Sequence, residues 1–278
     1  MGGYGSALMS TQNSKNERFR ALHVPGRPLL LANAWDPGTA KLFEALGFQA
    51  VATTSSGFAA TLGRLDGSVT REEALLHAEA MVAATDLPVS ADLENGFAHD
   101  PAAVSDLVAH AAATGLAGCS IEDFTGDRDD PIYEKSHAVE RVGAAVEAAR
   151  ASGMVLTARA ENHVRGRIDL ADTIERLQAF QEAGADVLFA PGITAPDEIR
   201  HVVNSVDRPV NVLVRPGMPN VDELASLGVA RVSVGGAFCY AGLGAVTEAA
   251  LELLEEGTYG YWEQAAVGMK RVREAFST

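Results

Sequence analysis

Acidic side chains gather just after three apolar runs of this chain. SADLENG (90–96) places Asp92 and Glu94 two residues apart where a strand-like run ends, and no basic residue lies nearby in sequence to neutralise them. GCSIED (118–123) ends on Glu122 and Asp123, and VLTARAENH (155–163) delivers Arg159, Glu161 and His163. Carboxylates brought to one place repel, which raises their pKa values or destabilises the fold unless a cation joins them. An all-oxygen donor set with few His or Cys suits Mg²⁺ or Mn²⁺ better than zinc. Mg²⁺ takes only one or two protein carboxylates and keeps several waters, so some of these acids would act through water. Arg159 offers a planar fork matched to a substrate carboxylate.

The elements that must bring these groups together repeat along the chain. Short apolar runs occur at 29–33, 50–54, 88–92, 118–123, 155–159, 186–190, 209–214 and 230–234. Each is apolar throughout rather than alternating, as parallel strands covered on both faces require. Helical stretches such as 71–85 and 168–183 lie between them. Several end on a glycine followed by the next strand (EALGFQAV, AATGLAGCSI, QEAGADVLF, ASLGVARVSV), the punctuation of βα units. Eight units predict a TIM-type (β/α)8 barrel over 18–257, with an additional C-terminal helix over 258–278 that suits a subunit contact. A doubly wound open sheet is the competing arrangement; against it, the first strand leads into AWDPGTA and not a Gly-rich phosphate loop.

In such barrels catalytic groups stand at the C-terminal strand ends. That rule collects Asn33, Trp35, Asp36, Ser55, Ser56, Gly57, Asp66, Asp92, Glu94, Glu122, Asp123, Arg159, Glu161, His163, Arg215 and Gly235–Gly236. Asp36 before Pro37 reads as a helix N-cap. His23, His77, His110 and His201 fall in helical patterns and read as surface or packing residues. Asn211, polar in an apolar strand, points into the barrel and toward ligand. A serine nucleophile at Ser55 or Ser56 lacks a readable His/Asp partnership.

Composition bounds the partners. The chain has 278 residues and a formal charge of −15, which disfavours nucleic acid and anionic membranes. Two isolated cysteines predict a reducing, cytoplasmic setting. No run of about 18 apolar residues predicts a membrane span. The Gly/Ser/Asn-rich start predicts a disordered arm over 1–17.

Together SSGFAATLGRLDG (55–67), SADLENG (90–96), SIED (120–123) and TARAE (157–161) resemble the isocitrate lyase/phosphoenolpyruvate mutase superfamily, from about Arg18 onward, and its small mutase-sized branch in particular. The resemblance implies a Mg²⁺-dependent enzyme acting on an α-keto acid or its enolate. It implies Asp92 as direct metal ligand, with Glu94 and Glu122 acting through metal-bound water and Asp66 beside the metal. Ser56, Gly57 and Phe58 match the substrate-carboxylate cradle, and Arg159 matches the substrate-binding arginine. Trp35 and Asn211 complete the expected substrate-binding set. Family members exchange a C-terminal helix, which implies a homodimer or tetramer.

The chain departs from the family in the loop after the fourth strand. EDFTGDRDDPIYEKSHAVER (122–141) carries neither the lyases' Lys-Lys/Arg-Cys-Gly-His nor the mutases' Lys after Glu-Asp with its later Asn-Ser. Arg128, Tyr133, Lys135 and His137 remain as acids or anion binders, with Tyr133 the first choice as replacement proton donor. The expected activity is a carbon–carbon lyase, or a decarboxylase, of a small 2-oxo or 2-hydroxy acid through an enolate. The alternatives are a phosphonopyruvate hydrolase or phosphoenolpyruvate phosphonomutase, and a non-catalytic keto-acid-binding protein.

Overall fold

All eight apolar runs form short parallel strands: β1 (Leu29–Ala34), β2 (Val51–Thr53), β3 (Val89–Asp92), β4 (Gly118–Glu122), β5 (Val155–Arg159), β6 (Val187–Phe189), β7 (Val210–Leu213) and β8 (Arg231–Ser233). They close into a barrel in chain order, with β8 pairing back to β1. The computed structural model describes residues 2–277, with side chains from residue 12 onward.

Around the barrel run α2 (Pro37–Ala45), α3 (Ser55–Thr61), α4 (Arg71–Ala84), α5 (Pro101–Ala113), α6 (Lys135–Ser152), α7 (Leu170–Glu182), α8 (Pro196–Asn204), α9 (Val221–Ser226) and α10 (Ala237–Leu251), which ends in a π-helical turn (Glu252–Glu256). The glycines predicted to end helices, Gly47, Gly115, Gly184 and Gly228, all take positive φ, between 88° and 104°. Asp36 caps α2 as expected, accepting from the Thr39 amide at 2.7 Å. Between strands and helices lies a continuous core that includes Met81, Leu107, Leu156, Leu177, Phe180 and Leu188.

The first helix corrects an expectation. Residues Gly2–Ala21 form α1, where composition predicted a disordered arm through residue 17. Tertiary contacts override local composition here. Gln12 donates to the Leu116 carbonyl (3.0 Å), Lys15 to that of Thr85 (3.3 Å) and Asn16 to that of Ser152 (3.0 Å). Phe19, fully buried with Leu29, Leu31, Ala117 and Val155, plugs the N-terminal end of the barrel. Burying one such ring contributes roughly 1.5–3 kcal/mol. At the other end of the chain α11 (Trp262–Phe276) packs back on α2. The stretch Ala237–Glu256 has a mean hydropathy of 1.3 and meets the length and composition of a membrane span, contrary to expectation. It is nevertheless the eighth helix of the barrel repeat, following β8 directly.

The plug also sets a pH dependence. His23 Nδ1 faces the Phe19 carbonyl oxygen at 2.8 Å, and its Nε2 faces Arg231 Nη1 at 3.1 Å. A guanidinium only donates, so Nε2 is an unprotonated acceptor. Burial, and then the Arg231 charge, push the imidazole from 6.5 down to about 3. Below pH 6.5 the unfolded chain therefore binds a proton that the native chain refuses, and stability falls as pH falls. Between about pH 7 and about pH 5 the wild type should lose about 2 kcal/mol more unfolding free energy than His23→Gln, measured by urea unfolding. Equal losses in the two proteins would assign the pH dependence to other groups.

Candidate active site

Thr53 at the end of β2 and Ser55 at the start of α3 fix Asp92. The Asp92 amide donates to Thr53 Oγ1 (2.9 Å), and the Ser55 hydroxyl and amide approach Asp92 Oδ2 at 3.1 and 3.4 Å. Ser55 Oγ is also 2.9 Å from Asp66 Oδ1, so one hydroxyl bridges two carboxylates contributed by separate parts of the chain. Glu94 sits in the left-handed region at φ 48°, a conformation costing a non-glycine residue about 1–3 kcal/mol. Its loop is held by the Glu122 amide, which donates to the Glu94 carbonyl at 3.0 Å. Buried Arg141 of α6 adds donors to the carbonyls of Asn95, Ala98 and Glu122.

Arg159 is the hub. Its Nη1 lies 3.0 Å from Asp92 Oδ1, and its Nη2 lies 3.0 Å from Glu122 Oε2 and 2.8 Å from Glu161 Oε1. Arg165 reaches the other oxygens of Glu122 and Glu161 at 3.4 and 3.2 Å. Burial opposes the charge on Arg159, but Glu122, Glu161 and Asp92 outweigh it and hold its pKa above the ordinary value. Burial pushes Glu122 up despite the opposing pull of Arg159. Burial, followed by repulsion from Asp92 and Asp66, raises Glu94 to about 8, and its Oε1 is buried without a protein partner. Asp123 turns behind the strand, accepts from the Glu161 amide (2.7 Å) and pairs with Arg176 (3.3 Å). Burial lifts its pKa to about 7, and its role is to hold the β5 exit in place.

Beside this constellation lies a cavity of about 450 Å³, in the barrel mouth and interior. Of the predicted site residues, Asn33, Ser55, Ser56, Asp66, Asp92, Arg159, Glu161, Asn211, Arg215, Gly235 and Gly236 line it. Glu122 lies against Arg159 at the edge of the constellation, and Glu94 lies behind Asp92. Trp35, Gly57 and Phe58 do not line the cavity. The Phe58 ring stacks on His77 with centroids 3.9 Å apart, in an outer groove that Trp35 shares. Gly57 is buried where an added Cβ would meet Thr54 Cγ2 at 2.6 Å. Tyr133 is also turned away: its hydroxyl meets His99 Nδ1, the Arg141 guanidinium covers its ring at 4.1 Å, and burial raises its pKa. Lys135 pairs with Glu175 and His137 bonds the His99 carbonyl, so neither lines the cavity, and nor does Arg128. Instead, the loop after β4 places Phe124 beneath Arg165, 3.6 Å from the guanidinium to the ring centroid.

The model of the phosphoenolpyruvate phosphomutase family matches residues 19–254. The chain belongs to this family. A crystal structure described as a lyase/mutase from Burkholderia cenocepacia J2315 is 49% identical, with a TM-score of 0.92, covering 97% of this chain and 98% of that one. The 2-methylisocitrate lyase of Escherichia coli (strain K12) is 31% identical over 230 residues, covering 78% of this chain and 77% of the lyase. A phosphonopyruvate hydrolase solved with oxalate and Mg²⁺ is 26% identical with a TM-score of 0.81, and each chain covers 94% of the other. The protein is thus an enzyme of the isocitrate lyase/phosphoenolpyruvate mutase superfamily.

Within this family frame, the donor set can be tested against a metal ion. Among the described residues no three His, Cys, Asp or Glu side chains form a ready-made cage. Asp92, Asp66 and the unpartnered Glu94 carboxyl do form an all-oxygen, electron-rich cluster, which fits a largely hydrated cation held by one direct carboxylate. Ser55, collected by the strand-end rule but set aside as a nucleophile, lies between two acids. Arg165, which that rule passed over, lies four residues after Glu161, the helical spacing for an ion pair. Asn33 Oδ1 accepts from the amides of Val234 and Gly235 (3.0 and 2.9 Å) and so fixes the turn after β8. Gly236 in that turn approaches so closely that an added Cβ would lie 2.5 Å from Ser56 Oγ.

Proposed function

We propose that the protein is a Mg²⁺-dependent lyase that cleaves or decarboxylates a small 2-oxo or 2-hydroxy acid through an enolate. The observation that carries this reading is the convergence of Asp92, Glu122 and Glu161 on the Arg159 guanidinium, beside the unpartnered Glu94. Asp92 would hold the metal, and Glu94 and Glu122 would orient its water; Mn²⁺ suits the same oxygens. Bound there, the ion would supply a Lewis acid that draws charge off the substrate's keto and carboxylate oxygens. Arg159, ready-charged at the cavity wall, would bind the substrate carboxylate through its planar fork. Ser56 and the Gly235–Gly236 turn close the opposite wall.

No residue of the loop after β4 lines the cavity, so on this reading no side chain of that loop delivers the proton to the enolate carbon. Tyr133→Phe should therefore keep turnover within about threefold of wild type, whereas loss of a general acid costs about 10²-fold or more. A loss of that size would return Tyr133 to the catalytic set. The reading as a whole is tested by assaying pyruvate, glyoxylate and CO₂ release from a panel of keto and hydroxy acids, with Mg²⁺ and after chelation. Turnover that survives thorough metal removal would overturn the metal-dependent mechanism.

A second reading, hydrolysis of a phosphorus–carbon bond, is favoured by the Gly235–Gly236 turn, whose position at the N-terminus of α10 suits an anion. Phosphate release from phosphonopyruvate would promote it. The free, buried Cys119 and Cys239 fit a cytoplasmic setting. Exposed Leu243, Val246, Leu254, Trp262 and Val267 on the last helices support a homo-oligomer.

A further inference from the structure

Deep in the barrel, below the acid constellation, stands a cation with no counter-charge. Arg231 opens β8, is 4% exposed and lines the cavity. Both of its hydrogen-bond partners are neutral. Nε donates to Asn211 Oδ1 at 2.9 Å, and Nη1 donates to His23 Nε2 at 3.1 Å. The charge that bears on it most is Arg159, which has the same sign, and burial with that repulsion pushes its pKa down to about 9. Arginine keeps its proton under working conditions, so the charge persists, and leaving an ion buried and unpaired costs several kcal/mol. The other buried arginine without a carboxylate, Arg141, differs because three backbone carbonyls and the Tyr133 ring surround its head.

The space beside Arg231 is hollow. TIM barrels fill their interior with bulky branched side chains. Here the cavity wall carries Ala52, Ser90, Ser120 and Ser233. On the inward face of β5, two residues before Arg159, the Thr157 hydroxyl is 1% exposed and has no protein partner. An unbalanced guanidinium, small side chains and the unpartnered Thr157 hydroxyl together describe a place for a negative guest.

We infer that this hollow is a second anion site, in which Arg231 and the neighbouring hydroxyls hold a small anion of halide or carboxylate type. Two sources share that chemistry: a free ion from solution, or the far carboxylate of a diacid substrate reaching below Asp92. The site rests on Arg231 and not on the reaction proposed above, and it is read without turnover.

Wild-type crystals grown in bromide should show anomalous density within hydrogen-bonding distance of the Arg231 guanidinium. In solution, bromide should raise the melting temperature of wild type and Arg231→Lys more than that of Arg231→Gln. Titrating oxalate and oxaloacetate with and without bromide identifies the source. If the far carboxylate of a diacid is the occupant, bromide weakens oxaloacetate by about tenfold or more and spares oxalate. If a free ion is the occupant, neither ligand is affected while bromide still binds at Arg231. Absence of bromide at Arg231 in the wild-type crystals, or an equal melting shift in all three proteins, would overturn the inference.

Discussion

Asp92→Ala is expected to remove turnover and Mg²⁺ binding together while leaving a folded protein. Asp92 is the acid that faces the cavity with one oxygen on Arg159 and the other on Ser55. Its loss leaves Arg159 paired with Glu122 and Glu161, so the buried cation is still neutralised. What disappears is the proposed direct ligand, and with it several kcal/mol of stabilisation for charge developing on the substrate oxygens. The drop in kcat/KM should be roughly a thousandfold or more. Asp92→Asn keeps an acceptor for Arg159 but not the charge and should lose nearly as much, separating charge from shape. Calorimetric titration with Mg²⁺ followed by oxalate provides the check. Normal binding of both ligands by Asp92→Ala would remove this residue from the metal role.

The barrel was legible because parallel strands covered on both faces must be apolar end to end, and because glycine takes the left-handed turn that ends a helix. The predicted strand at 209–214 and observed β7 (Val210–Leu213) differ by a residue at each end. Asp92 and Arg159 were legible as cavity residues because a strand end fixes both the place and the face of a side chain, and Asn211 because it is polar within an apolar strand. Phe58 was not. It follows Ser56 by two residues on α3, about 200° around the helix, so a motif read as one unit divides between the cavity and the outer groove. Tyr133 faces away from the cavity for another reason. The β4 loop doubles back through a bridge between Phe124 and Ile132, a path that no periodicity encodes. Ser55 depends on Asp92, 37 residues away, and its role is visible only once β2 and β3 pair. Arg231 did leave a trace: it is the charged residue in the otherwise apolar run ARVSV.

Arg159→Met tests whether the constellation is held by charge. The substitution removes the cation shared by Asp92, Glu122 and Glu161, whose side chains are 18%, 5% and 1% exposed, and leaves Arg165 to neutralise two of them at longer range. Breaking a buried pair from one side costs about 3–5 kcal/mol, because the remaining charges stay buried without compensation. The melting temperature should therefore fall by roughly 10 °C in the absence of divalent ions. A cation bound among the same acids replaces part of the missing charge, so Mg²⁺ should stabilise Arg159→Met more than the wild type. Activity should not return with stability, since the fork that binds the substrate carboxylate is gone. Arg159→Lys sharpens the comparison: it restores a positive charge but not the planar donor array, and should recover stability ahead of turnover. Scanning calorimetry with and without Mg²⁺, beside kcat/KM, reads both effects. An unchanged melting temperature in Arg159→Met would show that the acids carry their own protons and that Arg159 serves the substrate alone.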